Sequence, residues 1–126
     1  MATIAFGVFL LMHGVIHLGW ITPKPADLNY PFVTSGSKLL PFIPEKVLGP
    51  LAAVLVVLIV VSFTLAALGM FGVPVLAQIW RLPATVGAVL SLIMCVVFWH
   101  PWFIMGPLLD VAILAAVVMG WPSRAS

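Results

Sequence analysis

From Leu48 to Leu68 the chain carries no charged side chain. Wound as an α-helix at about 1.5 Å per residue, that stretch matches the roughly 30 Å hydrocarbon core of a bilayer. Three more apolar runs of comparable character lie at Thr3–Ile21, Ala84–Trp99 and Trp102–Trp121. Together they predict an all-α integral membrane four-helix bundle, a single transmembrane domain over residues 1–126. The third run is the shortest, and it gains length if it starts near Val75 with Pro83 as a tolerated kink.

Composition excludes the soluble alternative. Of 126 residues, 64% are apolar and 6% charged, and the mean hydropathy is +1.32. Five basic and three acidic side chains cannot cover a core that large in water. The basic residues Lys24, Lys38, Lys46, Arg81 and Arg124 are scattered, so no stripe follows a phosphate backbone and no nucleic-acid partner is expected. The expected surroundings are the lipid bilayer and other membrane subunits or further copies of the chain. Cys95, the single cysteine, sits in an apolar run and reads as a small packing residue. No basic stretch precedes the first run, which is expected to be a retained anchor.

The longest polar segment, residues 22–46, holds five prolines and five of the charged side chains, and predicts an irregular interfacial loop. Its apolar patch Leu39–Ile43 is expected to dip into the headgroup layer. Glu45 and Lys46 stand just ahead of the second helix, where an acid suits the helix dipole. Trp99-His100-Pro101-Trp102 predicts a tight turn in the aromatic belt at the membrane surface. Arg81, Arg124 and the amino terminus fall on one side and Lys24, Lys38 and Lys46 on the other, a distribution read as cytoplasmic termini.

Four crossings bring the end of helix one, the start of helix two, the end of helix three and the start of helix four to one surface. Counting from Ile21 and Trp102, both His13 and Asp110 lie about 12 Å below that surface, and His17 about 6 Å. His100 and Glu45 lie above them on the same side. His13 and His17 share a helix face with Phe6, Leu10 and Trp20. An acid in mid-membrane costs about 2.5–3.5 kcal/mol on insertion scales unless it is paired or protonated. Asp110 is therefore expected to contact His13 at the centre of the bundle.

Several chemistries suit such a centre. Histidines at i and i+4, here His13 and His17, can ligate one transition metal, with a carboxylate completing or orienting the set. An inward histidine can be the axial ligand of haem or chlorophyll. His13, His17, Asp110 and His100 can also form a proton relay, or bind a quinone-like or lipid-like ligand. The structural alternative has neutral histidines hydrogen-bonded across helices, Asp110 joining the fourth helix to the first, and His100 simply at the interface. Ala84, Gly87, Ser91 and Cys95 line one face of helix three, and Gly7 and Gly14 one face of helix one, allowing close helix approach. Helix two offers only Ser62 and Thr64 as polar side chains and is expected to face lipid or a neighbouring protein. Gly106 and Pro107 loosen helix four just ahead of Asp110.

The segment His13-Gly14-Val15-Ile16-His17-Leu18-Gly19 resembles the HGxxHxxG motif that opens a group of small, uncharacterised bacterial four-helix membrane proteins. The similarity extends to Phe98-Trp99, Gly106 and the polar position Asp110, where that group more often carries an amide. The layout is also similar to DoxX-like proteins. The resemblance implies a four-helix fold in a bacterial inner membrane and no particular reaction. The leading expectation is a non-enzymatic membrane subunit that packs against or stabilises a larger complex, with no catalytic residues and with a cofactor or lipid at the His/Asp centre. The alternatives are a small redox protein or enzyme binding metal, haem or chlorophyll through His13 and His17, and a transporter or proton-conducting oligomer.

Overall fold

The structure is a computed structural model that describes residues 1–21, 37, 39–99 and 104–123. All regular structure among them is helical: α1 (Ala2–Ile16, extended by a 3₁₀ turn at His17–Trp20), α2 (Glu45–Met70), α3 (Pro74–Ile79), α4 (Arg81–Val97) and α5 (Met105–Met119). Two stretches, Ala2–Trp20 and Glu45–Met70, are long and apolar enough to cross a membrane; α4 and α5 are apolar but shorter.

Local sequence sets the ends. Pro44 holds an extended backbone ahead of α2, and Glu45 falls in the first turn, where its charge faces the helix dipole favourably. Glu45 and Lys46 thus belong to the helix and not to the loop. Ser37 stitches that loop to the bundle: its hydroxyl donates to the Val97 carbonyl at the end of α4 and accepts the Leu40 N–H. Leu39 and Phe42 face outward while Leu40 and Ile43 lie against the core. Residues 22–36 and 38 of that loop, and residues 100–102 of the Trp99–Trp102 turn with His100 among them, lie outside the described residues.

The third run forms a helix, α4, but its longer form from Val75 does not occur. Pro83 does not kink a long helix; instead the helix breaks at Trp80, and α3 and α4 are separate. A proline ring clashes with the carbonyl four residues back, here that of Ile79, where α3 stops. Pro83 itself then sits in the first turn of α4, where a missing N–H does no harm. At the end of α5, Gly120 takes a left-handed conformation (φ 70°), and the Trp121 N–H closes back on the Ala116 carbonyl.

Helix α2 is the spine of the bundle, packing against α1, α3 and α4, while α5 packs on α4. The expectation that it faces lipid or a neighbouring protein is corrected for one of its faces: Leu48, Ala52, Val56, Ile59, Phe63 and Ala66 are buried within the chain. Those positions recur every three or four residues, the spacing of a single helix face, so a helix without charge still has an inner side. Val54, Val57, Leu58 and Val61 lie exposed on the other.

The buried face of α1 is the expected one, comprising Phe6, Leu10, His13, His17 and Trp20. Phe63 fills the gap between α1 and α4 because both helices are bare there. A β-carbon added at Gly14 would lie 2.8 Å from the Phe63 β-carbon, and one at Gly87 would lie 3.1 Å from its ring. Gly14→Leu is expected to lower stability by about 1–3 kcal/mol through overpacking. Val57→Ala on the exposed face should change it by less than about 0.5 kcal/mol. Thermal unfolding in detergent micelles separates the two.

Candidate functional site: a buried polar centre

Three helices deliver four polar side chains to one point. α1 and its 3₁₀ turn supply His13 and His17, α4 supplies Ser91, and α5 supplies Asp110. The 3₁₀ turn matters locally. Where α1 tightens, backbone amides bond to the Gly14 and Val15 carbonyls, and the His17 ring reaches back to the carbonyl of His13.

The expected pair is present, with His13 Nε2 2.8 Å from Asp110 Oδ1. The second carboxylate oxygen, Oδ2, lies 2.6 Å from the Ser91 hydroxyl. That hydroxyl in turn lies 2.8 Å from His17 Nε2, and His17 Nδ1–H donates to the His13 carbonyl over 2.9 Å. Asp110 and Ser91 are fully buried, and His17 and His13 are 2% and 7% exposed. Both oxygens of this buried acid are therefore engaged. An unpaired carboxylate in such a place would be far more costly than this arrangement.

Aromatic rings close the centre. Phe63 meets His13 edge-on at 5.3 Å, Phe9 stacks on His13 at 5.8 Å, and Trp20 covers His17 at 5.5 Å. A porphyrin or chlorin bound axially, or a metal held through the two Nε2 atoms, would have to displace Asp110 and Ser91 from those nitrogens. Among the described residues, no set of three or more His, Cys, Asp or Glu side chains converges as a metal site. The residues do not fit a macrocycle at this point. His100, proposed with this group from the sequence, lies outside the described residues.

Ser91 is the member that sequence reasoning assigned to packing alone. A signal for it existed: Ser91 precedes the predicted end of its helix, Trp99, by the same interval that separates His13 from Ile21 and Asp110 from Trp102. The rise that places those two about 12 Å deep places the serine there too. Cys95, one turn further on, is buried and packs against Gly106.

A second feature lies towards the other end. Phe6, Phe9, Ala112, Ala116, Met119 and Trp121 line an open, apolar cavity of about 680 Å³ between α1 and α5. At its rim the Phe6 ring of α1 meets the ring of Trp121, just past the end of α5, with centroids 5.4 Å apart. No known protein family, curated protein or solved structure matches the chain.

Because the four side chains form one connected set, their energies should not add. A double-mutant cycle on His13→Ala and Asp110→Ala is expected to give a coupling of about 0.5–3 kcal/mol. Asp110→Leu should destabilise more than Asp110→Asn, since only the amide leaves His13 and Ser91 with a partner. Thermal midpoints of the purified variants in one detergent check both.

Proposed function

We propose that the chain is an integral membrane protein whose helices α1, α2, α4 and α5 all cross the bilayer, and that it serves as a non-enzymatic subunit stabilising a larger membrane assembly. The observation that carries this reading is an inversion of polarity. His13, His17, Ser91 and Asp110 bond to one another in the interior and are almost wholly shielded from outside, whereas the described outer helix surfaces are overwhelmingly apolar. A catalytic centre needs an approach for substrate, and Asp110 and Ser91 have no exposed surface. The exterior instead offers area for lipid and for other helices.

The lengths of α4 and α5 bear on the crossing. At 17 and 15 residues they reach about 25 and 22 Å. That is short of a hydrocarbon core of roughly 30 Å, and modest thinning of the bilayer or a few flanking residues accommodates the difference. Arg81 supports a boundary at the end away from the polar centre: its guanidinium lies beside Gly120 at the C-terminus of α5, where a cation suits the helix dipole. The bacterial inner membrane, with both termini in the cytoplasm, is the setting that the sequence favours.

For a partner, the groove between α1 and α5 is the most hospitable surface. Ala112 and Ala115 are exposed in it, and small side chains let another helix come close. Purified gently from its native membrane, the chain is expected to migrate with other polypeptides or with further copies of itself. Ala112→Trp should disperse that assembly while leaving the thermal midpoint of the chain unchanged. A species of one chain in one micelle, before and after the substitution, would sink the subunit reading. Extraction by alkaline carbonate, which strips peripheral proteins, would sink the membrane reading.

A further inference from the structure

The contacts of the polar centre outnumber the hydrogens of its uncharged histidines, its serine and an ionised Asp110. The four contacts are His13 Nε2 to Asp110 Oδ1, Asp110 Oδ2 to Ser91, Ser91 to His17 Nε2, and His17 Nδ1 to the His13 carbonyl, all at 2.6–2.9 Å. Each needs one hydrogen. A serine hydroxyl brings one, a neutral imidazole brings one, and an ionised carboxylate brings none. Two neutral histidines, Ser91 and an ionised Asp110 therefore supply three hydrogens for four contacts.

The shortage falls at an identifiable place. A carbonyl oxygen only accepts, so the hydrogen of a neutral His17 is fixed on Nδ1. The hydrogen of His13 serves the Asp110 Oδ1 contact. Ser91 then faces two acceptors, His17 Nε2 and Asp110 Oδ2, with a single hydrogen. We propose that the His13–Asp110–Ser91–His17 centre is a proton-binding site, which at neutral pH carries one proton beyond those of two neutral imidazoles and an ionised carboxylate.

Two arrangements satisfy every contact, and they contain the same hydrogens. In the first, Asp110 is ionised, Ser91 donates to it, and a doubly protonated His17 donates to Ser91. In the second, Asp110 carries the proton on Oδ2 and donates to Ser91, which donates to a neutral His17. Moving two hydrogens along the Oδ2–Oγ–Nε2 line, one across each contact, converts one into the other. No hydrogen enters or leaves, and with His13 neutral the net charge of the centre is zero in both. A neutral set suits a buried, low-dielectric position better than a set with an excess negative charge.

The surroundings offer no other counter-charge among the described residues. On α4 the neighbouring titratable group is the buried thiol of Cys95, which bears no positive charge in either protonation state. The facing part of α2 is the Phe63 ring, and α1 contributes the two histidines themselves. Loss of the proton would leave Ser91 able to keep His17 or Asp110 but not both, opening either the α1–α4 or the α4–α5 link. Proton occupancy and helix packing are thereby tied through one hydroxyl, whether or not the chain is a subunit of a larger assembly.

The test is magic-angle-spinning NMR of the full chain, labelled with ¹⁵N-histidine and ¹³C-aspartate, in phosphatidylcholine nanodiscs at neutral pH. Either a protonated Asp110 with His17 protonated on Nδ1 alone, or an ionised Asp110 with His17 protonated on both nitrogens, is the expected result. An ionised Asp110 beside two singly protonated imidazoles overturns the proposal. An independent readout is proton release on denaturation near about pH 8, where unfolded histidines are neutral and unfolded aspartates ionised. Wild type is expected to release one proton per chain more than Asp110→Asn, whose amide supplies the fourth hydrogen covalently; equal release overturns the proposal. Should Asp110→Asn not fold, the spectra of the unsubstituted chain decide alone.

Discussion

Everything in this bundle is arranged around a carboxylate that has no contact with solvent. Asp110 is held by an imidazole from α1 and a hydroxyl from α4, so one side chain on α5 fixes the placement of two other helices. Apolar contacts between helices are tolerant of sliding and rotation, because they are non-directional. Hydrogen bonds to a buried acid are not. A rotation of α5 that carried Asp110 away from His13 and Ser91 would strand a polar group inside the bundle.

Reaching that geometry requires helices close enough for short side chains to bridge them, and the small residues supply the proximity. Gly14 and Gly87 present bare backbone to Phe63, and Ala84, Gly87, Ser91 and Cys95 keep the inner face of α4 low. The bulky Phe63 ring then does two things at once. It fills the space that the glycines leave, and it covers the edge of His13, keeping the polar contacts dry. Dry hydrogen bonds are stronger but more demanding, because water is absent to substitute for a lost partner.

Much of this was legible in the sequence. The apolar runs predicted the main helices, and the i, i+4 spacing named the inner face of α1 from Phe6 to Trp20. Connectivity and helical rise brought His13 to Asp110 across nearly the whole chain. The sequence was weaker where one feature had two meanings. Ser91 looked like a packing residue because it sits among small residues, yet depth alone puts it level with His13 and Asp110. Helix α2 looked lipid-facing since composition carries no sign of an inner side when both sides are apolar; the distinction lies in shape, with Phe63 and Ala66 against neighbours and Val57 and Val61 outside. Whether Pro83 kinks a helix or starts one is not legible locally, because it depends on whether the residues ahead of it leave the helix, and here the break falls at Trp80.

Why a serine should stand at the junction follows from what a hydroxyl is. Linking an acid on one helix to an imidazole on another from a single position needs one atom that both donates and accepts. A carboxamide does so with two atoms and a longer stem, which would push α4 outward. A thiol does so weakly, and alanine not at all. With α4 this close to Phe63 and α1, serine is the smallest side chain that satisfies both neighbours. The same economy leaves no reserve, because a hydroxyl has a single hydrogen. A bundle joined through it is complete only when the acid and the imidazole hold a proton between them.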